Sequence, residues 1–404
     1  MSSLFDAVEM APRDPILGLN EQFAADPNPA KVNLGVGVYY DENGKLPLLA
    51  CVRAAEEKMM EARQARGYLP IDGIAAYDAA TQALVFGADA PARREGRIAT
   101  VQAVGGTGGL KVGADLLQRM NPGARVLISD PSWENHRALF EGAGFEVGTY
   151  PYYDASTHGV AFDAMLGALN AAAPGTIVVL HACCHNPTGC DLTPSQWQQV
   201  VDLLAARRLV PFLDLAYQGF GEGITEDARA VQRCLDAGLD FFVATSYSKS
   251  FSLYGERAGA LSVVCPTKEA AARVLSQLKR VIRTNYSNPP THGAAAITTV
   301  LSTPALRALW EQELAGMRER IRRMRVELQK RLVAAGAGLD TDFITRQRGM
   351  FSYSGLSKEQ MQRLRSEFGV YGLDSGRICV AALNERNLDT VVAAIAQVTE
   401  KAAA

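Results

Sequence analysis

No run of eighteen or more apolar residues occurs in this chain of 404 residues, which leaves no candidate for a membrane-spanning helix. Charge of one sign is not in excess either. Lys and Arg number 41 against 43 Asp and Glu, a formal net charge of -2, so the balance gives no reason to expect nucleic acid or an anionic membrane surface as a partner. The opening segment MSSLFDAVEMAPRDP has acidic residues early and lacks the basic start and long apolar stretch of a secretory signal, so none is expected. Cysteine is sparse. Seven thiols, an odd number without regular spacing, fit a reduced cytoplasmic compartment better than a disulfide scaffold. Internal repeats, low-complexity tracts and flexible linkers are missing as well. What is present, 48% hydrophobic and 21% charged residues, suits a well-buried enzyme, and the length suits two domains.

The middle of the chain has an αβ rhythm. Short apolar, β-branched runs at 98–101, 125–129, 145–149, 176–181, 210–215, 241–246 and 259–264 read as strands, several of them apolar almost throughout, as strands buried on both faces are. Helical segments lie between many of them, at Leu110–Met120 and Ser195–Arg207 for example. Thr193-Pro194 before the second reads as an N-cap followed by proline at the first helical position. Alternation of this kind predicts an α/β fold: a mostly parallel seven-stranded sheet flanked by helices. From Pro304 to Ala334, apolar residues at 306, 310, 314, 317, 321, 324, 328 and 332 predict one long amphipathic helix. Its opposite face, with Arg318, Arg320, Arg322, Arg325 and Lys330, reads as solvated. This helix is expected to bridge into a smaller α+β domain built from the C-terminal portion.

Ligands of open α/β sheets sit beyond the carboxyl ends of the strands, and here those ends are rich in polar residues. VPFLDL ends in Asp214, with Tyr217 three residues on. Taken alone, that aspartate reads more readily as a helix cap. The strand 241–246 leads into SYSKSF and places Lys249 in the following loop, where it is either an exposed side chain or, if desolvated, an amine able to attack a carbonyl. The segment VGGTGGLKVGADLL reads as a glycine-rich loop turning a strand into a helix. Its free N–H groups and the Thr107 hydroxyl suit a phosphate, although no nucleotide signature is present. A lysine, a phosphate cradle and a carboxylate for a pyridine nitrogen are the parts that a pyridoxal-phosphate site requires.

Nine strings, three of them around the segments just described, carry a resemblance: NLGVGVYYDENG, GGTGGLKVGAD, DPSWENH, CCHNPTG, FLDLAYQGF, SYSKSFSLYGERAG, NYSNPP, GMFSYSGL and the SGR ending at Arg377. In this order, over nearly the whole chain, they resemble the class I (fold-type I) aminotransferases, in the subgroup of aspartate and aromatic-amino-acid aminotransferases. The resemblance implies pyridoxal 5'-phosphate as cofactor and a large domain over 47–315. The small domain would comprise 316–404, with 1–46 as an N-terminal arm. It further implies that Lys249 carries the cofactor as a Schiff base and moves the substrate proton, and that Asp214 partners the pyridine nitrogen with support from His136. Tyr217 and Asn186 would hydrogen-bond the ring's phenolic oxygen. Trp133 would stack on one ring face, with Ala216 behind the other. Gly106, Thr107, Ser246 and Arg257 would hold the phosphate, and Tyr68 would come from a neighbouring subunit. For the substrate, Arg377 and Gly37 would take the α-carboxylate. Arg283 would reach from the other subunit to a side-chain carboxylate, so a homodimer is expected.

Other readings of the same residues are weaker. Cys183, Cys184, His185 and Cys190 lack the paired spacing of a zinc site and read as buried thiols near the cofactor, so no metal is expected. Ser246 and Lys249 fit the S-x-x-K pattern of acyl-transfer enzymes, but its S-D-N and K-T-G companions do not occur. The expected reaction is ping-pong transfer of an amino group to 2-oxoglutarate or another 2-oxo acid. Tyr40 and Leu46 resemble the aromatic members and Thr107 and Asn288 the aspartate members. An aromatic donor (Tyr, Phe) alongside aspartate and glutamate is therefore expected, with an aspartate enzyme of minor aromatic activity as the alternative.

Overall fold

Seven strands form the central sheet of the computed structural model, which describes residues 3–400. Across the sheet they run Ile98–Val104, Ala258–Val264, Phe241–Ser246, Val210–Leu215, Ile177–His181, Arg125–Asp130 and Glu146–Pro151. Only Ala258–Val264 is antiparallel to its neighbours. The expected mostly parallel α/β sheet is therefore what the chain forms. Alternate side chains explain the unbroken apolar runs. Val178, Leu180, Leu213 and Val243 join one core, while Ile177, Val179, Phe212 and Phe242 join another on the opposite face. Helix 194–207 starts as expected, with Thr193 and Gln196 closing a reciprocal capping box and Pro194 at its first position.

The glycine-rich segment differs from the expectation. It is no loop: the helix begins at Gly105, directly after Val104, and runs to Met120. Glycines cost a helix roughly 1 kcal/mol each relative to alanine, but here they let it press onto the sheet. A Cβ on Gly109 would lie 2.8 Å from the Ala260 carbonyl oxygen, and one on Gly113 would lie 2.5 Å from Phe212 Cζ. Close approach, not a flexible turn, is the reason for the glycines. The result brings a helix N-terminus to the carboxyl edge of the sheet.

The long helix spans Pro304–Ala334, and every apolar position expected to be inward is buried. Its cationic face is not uniformly solvated, which corrects the second expectation. Lys330 is exposed, but Arg320 and Arg325 are buried. Arg320 donates to the carbonyls of Ala381 and Leu383 and pairs with Glu42, so irregular backbone takes the place of water around it. Beyond this helix, Phe351–Tyr353 pairs with Arg377–Cys379, and Val32–Asn33 pairs in parallel with Val370–Tyr371. That second pairing ties an N-terminal segment to the C-terminal one. Of the residues assigned to the arm and small domain, 1–2 and 401–404 lie outside the described residues. Among the described residues, no helix is long and apolar enough to cross a membrane.

Candidate active site

A cavity of about 220 Å³ opens at the carboxyl edge of the sheet. Gly106 and Thr107 reach it from the helix that follows the first strand, and Trp133 from the turn after Arg125–Asp130. Asn186 comes from the segment after Ile177–His181. Asp214, Ala216 and Tyr217 come from the end of Val210–Leu215, and Ser246 and Lys249 from the end of Phe241–Ser246. Arg257 precedes the antiparallel strand. Gly37, Phe351 and Arg377 close the side away from the sheet. Residues from Gly106 to Arg257 thus share one space because the strands that carry them meet at one edge of the sheet.

Lys249 is half-buried and lines the cavity. Burial lowers its pKa to about 8, against the Asp214 carboxylate, which raises it; the Arg257 and Arg377 charges lower it further. Its amine is therefore neutral often enough near neutral pH to act as nucleophile or base. Its Nζ lies 5.0 Å from the centroid of the Tyr217 ring. Burial pushes the Asp214 carboxyl up, but the His136 hydrogen bond and the His136, His181 and Lys249 charges outweigh it and leave the pKa below the usual value. Asp214 is thus held as a carboxylate inside the protein. His136 is fully buried and lies behind Asp214, not in the cavity. Its Nε2 is 2.7 Å from Asp214 Oδ2, and its Nδ1 is 2.9 Å from Ser132 Oγ.

Burial raises the Tyr217 hydroxyl pKa despite the nearby Arg377, so it remains a proton donor. Arg377 is 1% exposed. Its Nη1 donates to Asn186 Oδ1 at 3.0 Å and its Nη2 to the Gly35 carbonyl at 2.7 Å, yet its buried Nε has no partner. A buried guanidinium with an open donor fits an incoming carboxylate. The Phe351 ring lies 4.3 Å from the Arg377 Cζ and meets the Tyr217 ring edge-on at 5.9 Å.

At the far end the helix 105–120 offers its unpaired N–H groups. A Cβ on Gly106 would come within 2.9 Å of Ser246 Cβ, so only glycine leaves this cradle open. The Thr107 and Ser246 hydroxyls, the Ser248 side chain and the Arg257 guanidinium surround it. One cation, several hydroxyls and a helix start suit a phosphate dianion.

Tyr68 and Arg283 are not brought to this cavity. Tyr68 is 97% exposed, and Arg283 lies on the surface bonded to Ser287. Sequence reasoning missed His181, Tyr254, Ser248 and Ile16, all of which line the cavity. His181 was within reach, as it ends a recognised strand and pairs in register with Asp214. Tyr254 had no such signal: its hydroxyl accepts the Tyr39 N–H across 215 residues of sequence. All seven cysteines are free and buried, and Cys184 Sγ approaches the Tyr217 carbonyl at 4.0 Å, as expected of thiols beside the site. Cys183, Cys184 and Asp227 do bring donor atoms within 4.8 Å of one another. The Asp227 oxygens, however, already accept the N–H groups of Gly219, Gly221 and Glu222.

Comparison with known proteins gives this geometry its context. The aspartate aminotransferase of Pseudomonas aeruginosa is 63% identical over 98% of this chain and 100% of its own length. The aromatic-amino-acid aminotransferase of Escherichia coli is 51% identical over the same shares. The crystal structure of the aromatic-amino-acid aminotransferase from Burkholderia pseudomallei, covalently bound to pyridoxal phosphate, is 66% identical. It superposes with a TM-score of 0.97, covering 99% of this chain and 100% of that one. The sequence profile of aminotransferase class I and II matches residues 29–395. The chain belongs to the class I and II aminotransferases.

Proposed function

We propose that this aminotransferase uses pyridoxal 5'-phosphate held by Lys249 to move amino groups from aromatic amino acids and from aspartate or glutamate to 2-oxo acids. The observation that carries the reading is the single cavity uniting Lys249, Asp214, the Gly106–Thr107 cradle and Arg377. The residues fit the cofactor: Gly106, Thr107, Ser246 and Arg257 for the phosphate, Asp214 for the ring nitrogen, Tyr217 and Asn186 for the phenolic oxygen, Trp133 and Ala216 for the ring faces. When bound, pyridoxal phosphate supplies an electron sink for the pair released from the substrate's Cα–H bond.

The chain's own residues do the rest. Arg377, with Gly37 beside it, binds the α-carboxylate and aims the Cα–H bond at Lys249. The neutral Lys249 amine takes that proton and returns it to the carbon on the other side of the amino nitrogen. Asp214, kept ionised by His136, holds a proton on the ring nitrogen. Tyr217 donates its hydroxyl hydrogen to the phenolic oxygen. Water adds as the first substrate leaves as a 2-oxo acid without its amino group, and it is released again when a second 2-oxo acid takes up that group by the same steps in reverse. Lys249→Ala tests this: turnover should fall by at least about 10²–10⁴-fold, and an unchanged rate would sink the assignment.

The same reading assigns Arg283 and Tyr68 to a neighbouring copy in a homodimer. Their exposure supports it, as do the exposed Leu4, Phe5, Val8 and Met10 of the N-terminal arm. Mixing Lys249→Ala with Arg283→Leu subunits is the test. Each hybrid dimer then contains one site with Lys249 and an intact Arg283 from the other copy, so aspartate turnover should reappear; no recovery would place Arg283 elsewhere. Aspartate and glutamate would use Arg283, while an aromatic ring would need it to swing aside. Similarity to both the aspartate and the aromatic enzymes supports this dual use, and comparing kcat/KM for aspartate, tyrosine and phenylalanine decides the hierarchy. We assign 47–315 to a large domain and 1–46 with 316–404 to an arm and small domain, supported by the pairing of Val32–Asn33 with Val370–Tyr371. Seven buried free thiols support a cytoplasmic location.

A further inference from the structure

The long helix carries a buried cation that none of the ion pairs among the described residues includes. Arg325 is 3% exposed, and its guanidinium donates to three main-chain carbonyls instead: Ile344 at 3.3 Å, Gly349 at 2.8 Å and Phe351 at 2.5 Å. Burial lowers its pKa to about 10, which still leaves it charged at neutral pH. All three acceptors belong to one irregular segment. It leaves a short 3-10 turn at Asp342–Thr345, bends through Gly349 at φ +80° and enters the three-residue strand Phe351–Tyr353. With so little regular structure, the fork of Arg325 is the common centre around which this backbone is wrapped.

Phe351 is where the segment meets the active site. Its ring packs against the Arg377 guanidinium and the Tyr217 ring, and a Cβ on Gly37 would come within 2.8 Å of its Cζ. Its strand pairs with the strand of Arg377, Phe351 opposite Cys379 and Tyr353 opposite Arg377. A shift of the Phe351 backbone therefore moves the surface on which Arg377 rests. An apolar side chain at 325 would fill the space, but it would orphan three buried carbonyls, and the segment would have to move to rehydrate them.

We propose that Arg325 is a positioning residue for the reaction: by holding the Phe351 backbone it sets the ring against which Arg377 is aligned for the substrate's α-carboxylate. The inference rests on the reading of Arg377 given above. It acts first on the carboxylate end: among the described residues no hydrogen bond or ion pair of Arg325 reaches the strand ends that carry Lys249 and Asp214, and Tyr217 is met through the Phe351 ring.

The test uses the holoenzyme and succinate, an unreactive dicarboxylate, together with KM and kcat for aspartate and phenylalanine. Arg325→Met should weaken succinate binding and raise both KM values by about 10–100-fold, with a smaller change in kcat. Arg325→Lys, which keeps the charge but not the fork, should fall between this variant and the wild type. In a Phe351→Ala background, Arg325→Met should add little, because both act on the same ring. Arg331→Ala, on the same helix but paired with Glu385 and Asp389, is the reference for a merely loosened helix; it should lower the Tm without weakening succinate binding. Wild-type succinate affinity in Arg325→Met, or effects that multiply independently with Phe351→Ala, overturns the proposal. If the Met variant does not fold, wild-type succinate affinity in the Lys variant overturns it instead. Arg377→Lys separates the two levels. Should it too bind succinate normally, the reading of the carboxylate site is what fails.

Discussion

The two ends of the cavity are built differently. The cofactor end rests on regular structure: Thr107, Asp214, Ser246 and Lys249 sit at or just past the ends of strands whose side chains are buried on both faces. The Asp214 carboxylate is bonded to His136 and its charge is settled before any ligand arrives. The substrate end rests on two three-residue strands, a turn and a buried arginine, and it keeps a donor of Arg377 unpaired. A site that must hold one cofactor permanently is thus fixed by the sheet. A site that must admit and release different acids is fixed by less regular elements with hydrogen bonds left to make. Preorganisation and exchange occupy opposite walls of one cavity.

Mutations should separate the two ends. The largest effect belongs to Lys249→Ala, with turnover nearly abolished while succinate still binds; loss of succinate binding in this variant would mean the ends are not independent. Next, Arg377→Leu should cost about 2–5 kcal/mol, roughly 30- to 5000-fold in kcat/KM for every donor, with the cofactor's absorbance retained. An effect confined to one donor would contradict its role at the shared carboxylate. His136→Ala removes one hydrogen bond to a buried charge and should cost about 1.5–3 kcal/mol at the cofactor end, read as weaker cofactor retention with succinate affinity kept. Arg283→Leu should be the most selective: kcat/KM for aspartate should fall by about 2 kcal/mol or more, and that for phenylalanine should change little. Equal losses on both would remove Arg283 from substrate selection.

The smallest effects are shifts in titration. In cofactor-free protein, reaction of Lys249 with a neutral aldehyde, trapped by borohydride, should rise with pH around a midpoint of about 8, well below the usual 10.5. Asp214→Asn removes a charge that favours the ammonium form and should move the midpoint down. Arg257→Ala and Arg377→Leu each remove a charge that opposes it and should move it up. The same depression affects stability. Above about pH 8 and below the unfolded value, the folded chain binds fewer protons at Lys249 than the unfolded one, so this group's contribution to stability improves as pH rises through that window.

The contrast between the two ends also explains what could be read in advance. Continuous apolar runs announced the sheet, and the sheet's carboxyl edge drew attention to Asp214, Tyr217 and Lys249. The class I resemblance then gave each a role, and the cavity unites them. The spacing of apolar residues from Leu306 to Leu332 likewise gave the long helix with its ends. Periodicity failed where backbone carbonyls substitute for water. Arg320 and Arg325 looked solvated because their acceptors, Ala381, Leu383, Ile344, Gly349 and Phe351, lie in short turns, loops and a three-residue strand that no period reveals. The glycines at 105–113 looked like a loop because their reason, contact with Ala260 and Phe212, is tertiary. Tyr68 and Arg283 do not line the cavity of the single chain, so their assignment rests on the proposed second copy.

The most direct test of the account is chemical. Borohydride treatment of the pyridoxal-phosphate-loaded protein, followed by proteolysis and mass spectrometry, should place a phosphopyridoxyl group on the peptide containing Lys249 and on no other lysine. A modified lysine elsewhere, with Lys249 untouched, would contradict the account at its centre.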